Sequence, residues 1–464
     1  MRWLSFLIAC LLFKSTWAQT DSLVLDLQAY LSVIKKYHPL ILQGDLLVQQ
    51  GEAGLTEARG NFDPTIGASY DRKYYLGKDY FSIYNSELKI PAWYGVTFKT
   101  GYDNISGIYT NPERNVPQNG LAYAGVQADL LSNLYINKKM AMLQKAKIYL
   151  SISETDRALL VNNLIFDALE AYLIWSRDFQ VYQARQRAFL LAAERFNGVK
   201  SAAIIGELPK IDTLDAYNQM LQRQIDLNDA STAFINATLL LNQFLWKENW
   251  ESYSIDTTVK PGTVDWSGYL DAQPRMVADS AWLQSHPLIR QYQLKLNILD
   301  IDRKMAIQQL MPNLTASYNF LSRPIGDETV SAFSFNNYKL GLGFSMPLSF
   351  TTGRGAFRQV KLQIKAAELN LLQKQRETYL KFAASVQDHY NFLRQVGLQR
   401  SIAQNAFRLL EAENERFFLG ESNLFTVNAR ENTWVNAEIK LIETNVKAVV
   451  TYYKARLIQN NMSN

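Results

Sequence analysis

A chain of 464 residues has room for two or three compact domains or for one elongated repeat structure. Its 48 Lys+Arg against 43 Asp+Glu leave a formal charge of +5 with no long block of one sign, which excludes the electrostatic footprint of a nucleic-acid binder. Three scattered histidines and one cysteine, with no HExxH, Cys-pair or GxSxG context, argue against an enzyme and point to no cofactor or metal.

The first 13 residues carry one early positive charge, Arg2, and then an apolar run ending at Phe13. At about ten residues that run is too short to span a bilayer and suits the core of a signal peptide, 1–18, cut after Thr16-Trp17-Ala18. Cys10, the sole cysteine, leaves with it, so the mature chain can form no disulfide. Leu7-Ile8-Ala9-Cys10 also resembles a lipobox, which would make Cys10 a lipidated first residue. The apolar Leu11-Leu12-Phe13 that follows argues against this, because a lipoprotein tether is usually polar. No later run reaches about 18 apolar residues, so a membrane protein of this sequence would have to be a β-barrel.

The chain is a duplication. His38-Pro39-Leu40-Ile41 recurs as His286-Pro287-Leu288-Ile289, and the same offset gives 11 identities over the 33 positions 38–70, ending in Ala-Ser-Tyr at 68–70 and 316–318. Glu194-Arg195-Phe196 is echoed by Glu415-Arg416-Phe417, and Gly206-Glu207 by Gly420-Glu421. Each half reads helix, strands, long helix, turn, helix. The first repeat is 19–247, with a helix at about 24–61, strands within 64–131 and a helical hairpin over 133–246. A linker or equatorial segment, 248–275, leads to the second repeat, 276–464, with a helix to about 310, strands within 312–349 and a hairpin over 355–460. Pro39 and Pro287 fit first helical turns, which gives His38 and His286 capping or packing roles.

After Pro64 and Pro312 the hydrophobic period switches from 3.6 to 2. Ile66, Ala68 and Tyr70 alternate with Thr65, Gly67, Ser69 and Asp71, and Phe98 and Tyr102 alternate with Thr97, Lys99 and Gly101. In the second half Leu340, Leu342 and Phe344 alternate with Lys339, Gly341 and Gly343. Alternation fits any half-buried antiparallel sheet. Segments of about ten residues, apolar and aromatic on one face and small and polar on the other, lean toward a transmembrane barrel with Phe98, Tyr102, Leu340, Leu342 and Phe344 toward lipid. The 25 Tyr and 23 Phe agree, since amphipathic rings collect at lipid–water boundaries. Four to six such strands are too few to close a barrel, so copies must associate if the sheet is in lipid. Residues 79–119 hold further extended and turn-rich sequence, expected as a longer hairpin or loop.

From about Asn133 to Val199 there is no Pro, and no Gly before Gly198. A helix of about 65 residues would be roughly 100 Å long, and 355–418 gives the same picture. Shorter helices return over about 212–245 and 423–458, so each half is a helical hairpin of coiled-coil character that cannot bury its apolar face alone.

In this order the duplicated His-Pro-Leu-Ile…Pro…Ala-Ser-Tyr windows, Met346-Pro347-Leu348-Ser349-Phe350, the Gly353-Arg354-Gly355 helix opening and the two Gly tips resemble the outer-membrane efflux protein family, the TolC-type ducts. The resemblance implies an α+β membrane fold: a homotrimeric β-barrel of twelve strands, about four core strands per subunit, in outer-membrane lipid, continued by a long α-helical tunnel in the periplasm. It implies a passive exit duct of a tripartite efflux or type I secretion system, fed by an inner-membrane pump of RND or ABC type through a periplasmic adaptor. In the family a Gly stands six residues before one acid and nine before another at the hairpin turn. Gly206, Asp212 and Asp215 match; Gly420 matches, but Thr426 and Ala429 replace the acids and Ser422 stands where a gate-locking Arg sits in the family. The resemblance thus assigns gating and adaptor docking to Gly206, Glu207, Asp212, Asp215, Gly420, Glu421, Ser422 and Thr426. The rival expectation is a non-channel periplasmic coiled-coil scaffold, which leaves the alternating strands without a purpose.

Overall fold

The computed structural model describes residues 24–92, 95–131, 136–262, 281–322, 336–460 and 462. The proposed signal peptide 1–18, with Cys10, and most of the linker's second half lie outside the described residues. In chain order the first half has β1 (Val24–Leu25), α1 (Leu27–Tyr37), α2 (Pro39–Gly60), β2 (Thr65–Tyr75), β3 (Lys78–Pro91), β4 (Val96–Ser106), β5 (Leu121–Asp129), α3 (Lys138–Ile204) and α4 (Lys210–Asn242). After β6 (Lys260–Pro261), the second half has α5 (Ala281–Ser285), α6 (Pro287–Gln308), β7 (Asn313–Ser322), β8 (Tyr338–Ser345), α7 (Thr351–Phe418) and α8 (Leu424–Ile458).

The duplicated motifs carry the same local structure in each half. Leu40 donates its backbone N–H to His38 Nδ1 (3.2 Å), and Leu288 does the same to His286 Nδ1 (3.1 Å). An imidazole standing in for a serine or aspartate satisfies one of the first-turn donors that a helix leaves unpaired. Strands β2 and β7 each start at the residue after the duplicated proline.

Two compact units emerge, each drawing on both sequence halves. One comprises 43–160 and 279–380 and contains the whole six-stranded antiparallel sheet, in the order β2-β3-β4-β5-β7-β8. This corrects the expectation of about four core strands. Of the two expectations for this stretch, hairpin or loop, residues 78–91 take the hairpin: they pair along almost their whole length with β2 on one side and β4 on the other. Beside the sheet, a small cluster of Ile136, Ala141 and Ile301 joins α3 to α6.

The other unit comprises residues up to Leu42, 161–278 and 381 to the end. Its core gathers Tyr30 and Ile34 of α1, Leu164, Ala168, Tyr172 and Trp175 of α3, and Phe234, Ala237 and Leu241 of α4. Two of the buried rings use their polar handles, Trp175 Nε1 donating to Thr238 Oγ1 (3.0 Å) and Tyr172 Oη to the Leu25 carbonyl (2.8 Å), whereas the Tyr30 hydroxyl is buried with no hydrogen-bond partner among the described residues. A second cluster packs Leu169 and Leu173 of α3 on Val446 and Val449 of α8. Helix α3 contains an 18-residue window of mean hydropathy 1.3, apolar enough to cross a membrane, and half of that window is buried within the protein.

Candidate functional site

The sheet has two chemically distinct faces, fixed by cross-strand register. Directly paired residues point to the same side. One row runs Ile66–Leu88–Thr100–Ala124–Phe320–Tyr338 through all six strands. The neighbouring row on the opposite face runs Thr65–Lys89–Lys99–Gly125–Asn319–Lys339. The expected lipid-facing residues share the apolar side. Phe98 pairs through Val126 and Tyr318 to Leu340, while Tyr102, Leu342 and Phe344 occupy same-face positions above and below. The other side concentrates charge: Lys89 Nζ lies 2.7 Å and Lys99 Nζ 3.6 Å from the Glu87 carboxylate. Tyr123 folds over Gly101 on this side, where a Cβ would come within 2.5 Å of its hydroxyl, so the glycine makes room for the ring.

No residue of the six strands is among the buried hydrophobics. A sheet with an apolar face must bury it against another layer, and among the described residues none covers it. Phe344 is 66% and Leu342 71% exposed. Among the described residues, both outer strands, β2 and β8, have one free edge.

The two hairpin tips are built alike. Helix α3 ends with Gly206 at φ +81°, Gly206 N–H bonding to Ala203 O (3.3 Å) and Glu207 N–H to Ala202 O (3.0 Å). Helix α7 ends with Gly420 at φ +77°, its N–H bonding to Phe417 O (3.0 Å) and Glu421 N–H to Arg416 O (2.9 Å). Both are Schellman closures, whose left-handed residue favours glycine. Helix α4 then starts behind Pro209 with no side-chain cap, and Asp212 supplies the acid in its first turn. Helix α8 starts behind Asn423, which accepts from both the N–H and the hydroxyl of Thr426 (2.9 Å each). Asp212 and Asp215 lie three residues apart, on one side of α4. Ser422 turns inward instead, donating to the buried carboxylate of Glu413, near which Arg416 and Arg430 also lie (3.8 and 3.9 Å).

Two features escaped the sequence. Each tip exposes large apolar side chains beside its glycine: Ile204, Ile205, Ile211 and Leu214 on the first, Phe418, Leu419 and Phe425 on the second. The pairs Ile204-Ile205 and Phe418-Leu419, each directly before the glycine, were the available signal. The second feature is a buried ion-pair network, in which Arg195 and Arg223 converge on Glu431. Among the described residues no group of three or more His, Cys, Asp or Glu side chains could hold a metal.

The chain thus combines a bare antiparallel sheet, apolar on one side, with two long helical hairpins that have matched tips. No protein-family model and no curated sequence matches the chain significantly. Solved structures do. The Campylobacter jejuni CmeC outer membrane channel superposes with a TM-score of 0.64 at 14% identity, covering 94% of this chain and 85% of CmeC. The open state of the Neisseria gonorrhoeae MtrE outer membrane channel gives 0.66 at 14% identity, covering 94% and 88%. The Vibrio cholerae outer membrane protein VceC gives 0.64 at 11% identity, covering 94% and 96%. At these identities the likeness establishes a shared fold.

Proposed function

We propose that the chain is one subunit of a homotrimeric outer-membrane exit channel. The sheet sits in outer-membrane lipid, the helical hairpins reach into the periplasm, and substrate arrives from an inner-membrane pump through a periplasmic adaptor. The observation that carries this reading is the uncovered apolar face, which continues across six strands and ends in two free edges. In water such a face would be a liability, and free edges would recruit other chains. In lipid the face is at home, and the edges must be closed by further copies. The scaffold alternative would leave that face in water. The similarity of fold to CmeC and MtrE, both described as outer membrane channels, agrees.

In this reading the exposed apolar side chains flanking Gly206 and Gly420 are the adaptor-docking surface, with Glu207 and Glu421 at its rim. Asp212 and Asp215, three copies each, line the tunnel's closed end. Ser422, bonded to Glu413, helps hold the second turn rather than lock the gate. The test is to express the full chain, fractionate the membranes, determine mass by native mass spectrometry and record current in planar bilayers. The expected result is outer-membrane material of three-subunit mass that conducts. A stable monomer extractable without detergent overturns the assignment.

A further inference from the structure

We infer that the membrane wall formed by three copies contains eighteen strands, closed by pairing the free edge of β2 with the free edge of β8 of the next copy. This rests on the trimeric channel reading and departs from the twelve-stranded wall that the family resemblance implied. β2 and β3 are the added strands, and both obey the two-face rule of the sheet. Ile66 and Leu88 join the apolar side next to Phe98 of β4, while Glu87 of β3 and Lys99 of β4 meet on the polar side at 3.6 Å. Strands folded away as a plug or an external flap would have no reason to continue the same apolar side through β2.

Direction and chemistry agree at the two edges. Successive pairings are all antiparallel, so β2 and β8 run in opposite senses and the closing pair is antiparallel as well. Each edge shows the same apolar side, Ile66 on β2 (83% exposed) and Leu342 on β8 (71% exposed). The contact is heterologous, edge to opposite edge, which is the type that closes into a ring. Six strands fall below the roughly eight needed for the smallest spanning barrel, whereas walls of 16–18 strands enclose an aqueous channel.

The test uses cysteine pairs in the full-length chain, whose sole native cysteine is Cys10, read against single-cysteine controls. Polar-side positions are chosen: Ser69→Cys on β2, Thr97→Cys on β4, each combined in turn with Gly341→Cys, Gly343→Cys or Ser345→Cys on β8. Gln127→Cys with Ser317→Cys, direct partners across β5 and β7, reports a folded sheet by linking within one chain. A short bis-maleimide is applied to outer membranes, and products are sized on denaturing gels. The expected result is a dimer and trimer ladder from at least one Ser69 pair and none from the Thr97 pairs. A ladder from Thr97 pairs alone means twelve strands: the inference falls and the channel reading stands. With the Gln127–Ser317 control linked, absence of a ladder from every pair overturns the inference. Monomeric mass in addition overturns the channel reading itself.

Discussion

Arg195 of α3 donates to the carboxylate of Glu431 of α8 and, through its other terminal nitrogen, to Asn428 Oδ1 (2.7 Å), although 236 residues separate the ion pair. Glu431 is 1% exposed and is approached on its other oxygen by Arg223 at 3.9 Å. One buried anion thus fastens both helices of the first hairpin to the returning helix of the second.

Removing that anion takes away the carboxylate between two guanidinium groups, leaving Arg195 with Asn428 alone and Arg223 with Asn432 and Asp226. Breaking a buried pair from one side costs about 3–5 kcal/mol. Glu431→Ala is expected to lower the thermal midpoint strongly, followed by far-ultraviolet circular dichroism of the purified protein. Arg195→Met with Glu431→Leu is expected to recover most of the loss, because apolar replacement of a whole buried pair is often neutral. If the double variant is no better than the single, the network is not the cause.

His38 gives the fold an acid-sensitive joint. Burial pushes its imidazole below the ordinary histidine range, and its cap needs an unprotonated Nδ1 to accept from Leu40. A folded pKa below the unfolded value of about 6.5 means the contribution is complete above that pH. It is lost as the pH falls from there through the folded value. The thermal midpoint should therefore drop between pH 7.5 and pH 5.5. His38→Asn keeps an acceptor at the cap without titrating there, and should remove part of that drop while changing the pH 7.5 midpoint little. An unchanged pH dependence would show that His38 is not the group responsible.

Much of the architecture was legible because it depends on patterns rather than identities, which is also why 11–14% identity suffices for one fold. Alternation through Tyr338–Ser345 located β8, and long stretches without Pro located α3 and α7 to within a few residues. β3 was harder to read. In Tyr80-Phe81-Ser82-Ile83-Tyr84, rings and aliphatics fall on both faces near the β2–β3 turn, which hides the period of two. The Glu87-Leu88-Lys89-Ile90 part does alternate, but Pro91 gave it the look of a loop. The Arg195–Glu431 pair left no local trace, because an arginine on a charged helix looks solvated until another helix covers it.

The two faces of the sheet predict opposite outcomes for one substitution. Arginine at mid-membrane on a lipid-facing position costs about 2–4 kcal/mol, whereas lumen positions tolerate charge. Leu342→Arg is expected to reduce assembled outer-membrane trimer severely, scored by heat-modifiable gel mobility. Gln127→Arg, on the polar side of β5 where Thr97 and Ser317 flank it, should assemble normally and shift ion selectivity instead. Equal assembly of the two variants would mean that the assignment of faces is wrong.

The acids of the first tip can be separated from mere helix capping by using the second tip as an empty copy. Asp212 lies in the first turn of α4, where a carboxylate favours the helix N-terminus by about 0.3–1 kcal/mol. Helix α8 manages without one, since Asn423 caps it and Thr426 and Ala429 take the acidic places. If the carboxylates line a shared constriction, Asp212→Asn with Asp215→Asn should lower the cation-to-anion permeability ratio of bilayer-inserted trimers. The expected fall is about two- to threefold, equivalent to roughly 0.4–0.7 kcal/mol, in the range of screened surface charges. Closed-state leak should rise with it. Thr426→Asp with Ala429→Asp, which adds acids at the matching turn, should raise the ratio by a similar factor. A purely structural role predicts a different pair of results: a slightly lower thermal midpoint for the first variant, none for the second, and unchanged selectivity in both.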